Sequence, residues 1–287
     1  MIFNLSEIFY ELKKNKGALI GLIIILFFIL LALLGPMLSP FSESELSEHL
    51  LSDPLWGEKV QPAHLLGTDD VGRDTFSRLL YGSRVSLFIG VFVTIISGFF
   101  GTILGLLAGY FGGKVDKIIM RAIDILMALP SILLAIVVVS ILGPGLVNAI
   151  IAVAIVSIPS FTRIVRAGVI EEKQKQYVQA AITFGTPTWE IIFKEILPNC
   201  TAPLIIQTTL CFSDGILNAA ALSFLGLGAQ PPTAEWGIML SDARSFIESS
   251  PWLVTLPGLC ILIVVLSFNL LGDGLRDALD PRLKKGK

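Results

Sequence analysis

Long apolar runs separated by short polar ones dominate this chain, and six of them are long enough to cross a bilayer. A helix rising about 1.5 Å per residue needs about 20 apolar residues to span ~30 Å of hydrocarbon. The runs cover residues 18–38, 85–111, 118–142, 146–165, 200–225 and 252–271. Pro130 and Pro159 interrupt the third and fourth, and Pro203 and Pro257 lie near the starts of the fifth and sixth. Membrane helices tolerate a kink at such places, provided the freed backbone groups find other partners. In the second run Gly101, Gly105 and Gly109 line one helix face and allow close backbone approach, either to another helix of this chain or to a partner subunit.

The polar stretches are equally patterned. Residues 1–16 form a short basic amphipathic start. Segment 39–84 is acidic and rich in turn formers, and within it the run from His64 to Asp74 reads as a turn that caps an interfacial helix over residues 75–83. It lacks the ligand spacing of a calcium loop. His49 and His64 read as ordinary loop residues.

A longer polar insert, residues 166–199, separates the fourth and fifth runs. Tyr177, Ala180, Ala181 and Phe184 fall on one face of a first amphipathic helix. Gly185 breaks that helix, because glycine accepts backbone angles that other residues resist. Thr186 can cap a second helix and Pro187 suits its first turn. In that helix Trp189, Ile192, Phe193, Ile196 and Leu197 form the apolar stripe, with Glu190 and Lys194 as an i, i+4 pair. By periodicity alone, the insert either lies on the membrane surface or projects into a groove on a partner.

Composition and charge narrow the class. The chain is 54% hydrophobic and 15% charged, too apolar for 287 residues folded in water. With loops assigned alternately from an inner N-terminus, inner segments carry 16 of the 21 Lys and Arg and outer segments carry 5. The positive-inside rule then places both termini in the cytoplasm. The first run is longer than a signal-peptide core and reads as an uncleaved anchor. Cys200, Cys211 and Cys260 lie in apolar runs without metal-ligand spacing and read as small core residues.

Little in the chain supports covalent chemistry. No catalytic cluster of His, Asp, Glu, Ser and Lys stands at membrane depth, no metal site is expected, and no nucleic-acid partner is implied. Gly113-Lys114 approaches a phosphate-binding loop, but Ala108 replaces its first glycine and Val115 its hydroxyl residue. Gln207, Cys211, Asp214 and Asn218 in the fifth run fall at i, i+4, i+7 and i+11, setting three polar side chains on one stripe. A mid-membrane carboxylate is costly unless paired, hydrated or protonated. The stripe either lines a translocation path or makes hydrogen bonds within the bundle. Asp124 is expected to pair locally with Arg121.

The run Tyr177-Val178-Gln179-Ala180-Ala181-Ile182-Thr183-Phe184-Gly185, closed by Ile196-Leu197-Pro198, resembles the cytoplasmic coupling loop of binding-protein-dependent ABC importer permeases. That family's pattern is Glu-Ala-Ala, three residues, Gly, nine residues and Ile-x-Leu-Pro. Gln179 stands where the pattern has Glu, and Glu195 occupies its Ile position. Leu79 to Leu87, Gly109 to Gly113, Ser223 to Pro232 with Glu235-Trp236-Gly237, and Asn269 to Pro281 resemble further signatures of oligopeptide, dipeptide and nickel permeases. Ala63 to Leu66 and the run from Ala229 to Asp242 resemble the second permease subunit of dipeptide importers most.

The resemblance implies an all-α membrane protein with the six-helix type I ABC importer permease fold. Residues 1–84 would hold the cytoplasmic start, first span and outer segment, residues 85–272 the transmembrane domain with its insert, and residues 273–287 a cytoplasmic tail. Its partners would be a homologous second permease, two ATP-binding subunits, a periplasmic or lipid-anchored substrate-binding protein and the bilayer. ATP and Mg would sit on the ATPases, and no cofactor in this chain. Gln179, Ala180, Ala181, Gly185, Thr186, Pro187 and Trp189 would meet the ATPases, and Gln207, Asp214 and Asn218 would face the path. The substrate would be dipeptides or similar small peptides, with oligopeptides, heme or aminolevulinate, and nickel as alternatives. An ion-coupled carrier or channel is the rival class, but it leaves the insert unexplained and usually needs more intramembrane carboxylates, histidines or an inverted repeat.

Overall fold

Most apolar runs become single helices, each opened or bent by identifiable residues, in a computed structural model that describes residues 12–279. Helix α1 (Lys16–Leu38) starts at Asn15, whose side chain accepts from the Ala18 amide at 3.2 Å. Helix α2 (Thr75–Phe111) starts at Asp74, which accepts from the Ser77 amide at 2.8 Å, so the expected capping role is met. No separate interfacial helix covers residues 75–83, because they form the first turns of α2 itself. Polar residues there do not mark a helix end; Arg78, Ser83 and Ser86 are buried.

The third run is not one straight helix. Helix α3 (Gly113–Met127) and helix α4 (Ser131–Leu142) meet at a bend of 95°. Pro130 is the N-cap of α4, and proline disfavours helical geometry in the residue before it. With 12 residues, α4 reaches only about 18 Å. Helix α5 (Leu146–Lys173), by contrast, runs through Pro159. Helix α6 (Gln176–Thr183) and the short α7 (Thr188–Glu190) follow. A π-helical turn (Ile191–Ile196) and a 3-10 turn (Leu197–Cys200) then lead into α8 (Thr201–Phe224). The chain ends its described part with α9 (Trp236–Ala243) and α10 (Trp252–Leu279). Residues 1–11 of the expected basic amphipathic start and the tail beyond residue 279 lie outside the described residues.

The glycine face of α2 packs on α5 of the same chain, which settles its neighbour. A Cβ on Gly101 would meet Phe161 Cβ at 2.4 Å, one on Gly105 Val165 Cβ at 2.6 Å, and one on Gly109 Val169 Cβ at 2.7 Å. Because the numbers rise together on both helices, α2 and α5 run parallel. The chain therefore returns along the length of α2 between residues 112 and 145, and α3 with α4 makes that return. Among the described residues, five helical stretches are individually long and apolar enough to cross a membrane, and the bent pair supplies a sixth crossing when taken as one.

Helix α8 runs antiparallel to α2, with Gly90 against Phe212 and Ile216, and Ser97 Oγ 3.3 Å from Cys211 Sγ. Helix α10 lies along α8, where Phe212 stacks on Phe268 at 3.8 Å, and α1 packs antiparallel on α10. The core runs between α2, α5 and α8, around Ile89, Val93, Val153, Phe161 and Leu222. Cys200 and Cys211 are buried and Cys260 is half-buried, all as free thiols. Asp124 does not pair with Arg121. It accepts from Arg163 of α5 at 2.8 Å, and Asp116 takes both a 2.5 Å and a 2.7 Å bond from Arg166. Sequence spacing shows local pairs only, whereas folding α3 against α5 presents cations from another helix.

Candidate functional site

Two ends of the bundle carry distinct chemistry. At one end, the insert folds back beneath α2 and α5. Val178, Ile191, Ile192 and Ile196 join Leu106, Val165, Val169 and Cys200 in a buried cluster. This divides the expected apolar stripes differently. Tyr177, Phe184, Trp189 and Phe193 are exposed, while Val178 and Ile191 take the inner positions. The π-helical winding of residues 191–196 rotates the side chains away from the 3.6-residue period on which the stripe was drawn.

The turn after α6 is a Schellman motif. The Thr186 amide donates to Ala181 O at 3.0 Å and the Gly185 amide to Ile182 O at 3.1 Å. Gly185 has φ +75°, the left-handed conformation that such a turn requires. Thr186 therefore closes the first helix and does not cap the second. Pro187 is the cap residue, in extended conformation and without a side-chain bond. Glu190 and Lys194 pair at 3.3 Å, and Lys194 also lies 5.2 Å over the Trp189 ring.

The outer surface of this turn is apolar and uncovered. Phe184 is 88% exposed and Trp189 58%, and nothing lies within 4 Å of a Cβ built on Gly185. Gln179, Ala180 and Pro187 are also exposed, with Ala181 and Thr186 half-buried. Gln179 turns back, its Nε2 donating to Lys173 O at 2.7 Å. Lys173 Nζ in turn donates to Tyr110 O at the end of α2. The tip is thus open and its base is held.

That base includes residues which spacing alone did not reveal. Glu172, buried at the end of α5, accepts from Tyr177 Oη and from Lys175 Nζ. Asn199 Nδ2 donates to Tyr177 Oη at 3.1 Å and to Glu195 O at 2.7 Å. Burial and the Glu172 carboxylate both push the Tyr177 hydroxyl up in pKa, and the bond to Glu172 raises Lys175. The charged run Glu171-Glu172-Lys173 that closes α5 was the available signal.

Within the bundle, the polar stripe of α8 divides. Cys211 points inward to Ser97, whereas Asp214 is exposed and has no ion-pair partner among the described residues. Asn218 donates to Asp214 O at 2.8 Å, and Gln207 is half-buried. Asp214 shares its open face with Leu210 and Leu217.

The opposite end is closed by ion pairs. Arg73 bonds Asp69 at 2.6 Å and Asp242 at 3.2 Å, and Arg78, 2% exposed, lies 3.7 and 3.9 Å from the same carboxylates. Burial pushes Asp242 up in pKa while the two arginines oppose it. His64, read above as an ordinary loop residue, is buried with Nδ1 2.9 Å from Asp74 and its ring on Phe41. Two residues that close on each other through a ten-residue loop carry no periodic signature.

Comparison with known proteins decides the class. Residues 101–285 match the binding-protein-dependent transport system inner membrane component family, and residues 4–54 match the N-terminal transmembrane domain of oligopeptide transport permease C. The chain belongs to this permease family. It is 53% identical over 282 residues to the dipeptide transport system permease protein DppC of Haemophilus influenzae, covering 98% of this chain and 96% of that one. To the DppC protein of Escherichia coli K12 it is 52% identical, covering 98% and 94%. The glutathione transport system permease protein GsiD of Pectobacterium atrosepticum is 45% identical, with 95% and 89% covered. An inward-facing structure of the MetNI methionine ABC transporter shares the fold, at a TM-score of 0.52 and 20% identity over 68% of this chain and 94% of that one. The protein is accordingly a multi-pass inner-membrane permease, a transport component and not an enzyme.

Proposed function

We propose that this chain forms half of the translocation pore of an ATP-driven, binding-protein-dependent importer of dipeptides or similar small peptides. It works beside a homologous second permease. Two ATPases, holding ATP and Mg, dock at the insert, and a substrate-binding protein delivers to the opposite end. Both termini then face the cytoplasm, which agrees with the excess of Lys and Arg on that side. Residues 85–272 act as the importer domain and 166–199 as its coupling insert.

The observation that carries this reading is the rigidly based but uncovered tip at Phe184, Gly185 and Trp189. Large apolar side chains held in water on a short helical knob fit a groove in a soluble partner. The substrate class rests on the dipeptide permeases among the relatives. Asp214 supports the path: an open carboxylate at mid-helix is costly against lipid, so its face belongs to water or to the second permease. Gln207 and Asn218 lie on the same side.

The test is uptake of a labelled dipeptide by cells lacking the native permease, together with co-purification of the ATPases. Phe184→Asp should lose the ATPases and all uptake while the chain still inserts. Asp214→Asn should keep the ATPases and lose at least about tenfold in uptake, as expected for one charged contact. A wild-type chain that purifies without ATPases, yet transports, would return the carrier reading.

A further inference from the structure

The hydroxyl of Tyr177 joins three elements that the importer cycle must move together. It donates to Glu172 at the end of α5, accepts from Asn199 at 3.1 Å, and itself belongs to α6. Asn199 stands two residues before α8 and is also bonded to Glu195 O at 2.7 Å in the π-helical turn. Lys175 completes the carboxylate's partners from the linker between α5 and α6.

Apart from the Gln179 Nε2 bond to Lys173 O at 2.7 Å, which reaches only the end of α5, the rest of the contact between α6 and the bundle is apolar. Val178 and Ala181 rest on Val165, Val169, Ile191 and Ile196. Hydrophobic contact is non-directional, so it holds α6 down without fixing where along the bundle it sits. Hydrogen bonds to a carboxylate are directional and among the strongest available to side chains. Between the turn and α8 lies a π-helical turn followed by a 3-10 turn, windings found where helices serve a function. A chain of bonds that skips the π-helical turn and ends on Asn199, in the 3-10 turn two residues before α8, gives α6 a direct hold on the residues leading into α8, the helix that bears Asp214.

We propose that Tyr177, with Glu172 and Asn199, is the positioning junction through which displacement of the insert is passed to α8 and α5. Apolar packing keeps the insert attached; the junction makes its movement productive. Loss of the hydroxyl then uncouples ATP turnover from transport without releasing the ATPases. This rests on the docking of ATPases at the insert proposed above.

The experiment uses the complete transporter in proteoliposomes, with both permeases, both ATPases and the binding protein. Tyr177→Phe keeps the ring and removes only the hydroxyl. Expected are wild-type recovery of ATPases, hydrolysis within about twofold of wild type, and dipeptide uptake per ATP reduced about tenfold, the scale of one hydrogen bond to a charged group. Asn199→Ala should lower the same ratio, and the double variant should fall no further than the worse single one, as for links in one chain. Unchanged uptake per ATP in Tyr177→Phe would overturn the proposal. So would uptake and hydrolysis falling in proportion, since that marks a structural role. Failure of the underlying docking reading looks different: the wild-type complex itself would then carry no ATPases.

Discussion

Gly185 is the residue at which sequence and structure agree most fully, and for a reason that can be tested. Its φ of +75° closes the Schellman turn, and no atom lies near a Cβ built on it. Any other residue meets no clash within the chain, only the backbone cost of about 1–2 kcal/mol for left-handed geometry. Asparagine visits that geometry more easily than a β-branched residue does. If backbone conformation is what the turn needs, Gly185→Asn should retain most co-purifying ATPase and Gly185→Val should lose it. Equal loss in both would instead mean that the partner touches the glycine itself. The break at Gly185 was legible because glycine punctuates a periodic run. Thr186, a hydroxyl before Pro187, has the composition of a cap, while its Schellman bond to Ala181 depends on geometry that composition does not carry. The Glu172, Tyr177 and Asn199 junction was not legible, since its members are separated by a turn and two irregular helical stretches.

At the scale of the elements, spacing disclosed faces but not their neighbours. Three glycines at intervals of four announced a close helix contact, and only the fold identified α5 as the other side. The contact is tight enough to make a discriminating pair of variants. A Cβ at Gly105 would meet Thr162 O at 2.8 Å as well as Val165, and a backbone oxygen cannot step aside. Gly105→Leu should therefore force α2 from α5 and cost about 3 kcal/mol, the upper part of the range for overpacking. Gly98→Ala, whose Cβ would find only Phe161 ring atoms at 3.6 and 3.7 Å, should be neutral. Thermal unfolding of the purified complex reads both, and equal midpoints for the two variants would contradict this packing. The bend between α3 and α4 escaped the hydropathy pattern for a related reason. Both halves are apolar enough in sum, and Pro130 signals a kink without its angle. Here the angle of 95° turns α3 across the bundle so that Arg163 and Arg166 reach its carboxylates.

For the whole molecule, the order of helix directions follows from contacts alone and does not depend on the charge count. Helices α2 and α5 are parallel, α8 opposes α2, α10 opposes α8, and α1 opposes α10. Asn15 meets Asp277 at 3.2 Å, so both described ends lie together, and Lys173 ties the insert to the end of α2 on that same side. The segment bearing Trp56 lies at the other end, fastened through Arg73 to α9. Charge then says which end is which: 16 of the 21 Lys and Arg fall in segments assigned to the side of the insert. Contacts thus fix which segments share an end, the charge count proposes which end faces inward, and one labelling experiment examines both. In a variant lacking Cys200, Cys211 and Cys260, a cysteine is placed by Trp56→Cys or by Phe184→Cys. Both positions are more than half exposed, so reactivity reports sidedness and not burial. An impermeant thiol reagent added to intact spheroplasts should label Trp56→Cys and leave Phe184→Cys untouched until the membrane is opened. Labelling of both from outside would break the helix order, because the two positions would then share an end. Labelling of Phe184→Cys alone would preserve the helix order and reverse the charge argument, placing the insert where no ATPase could reach it.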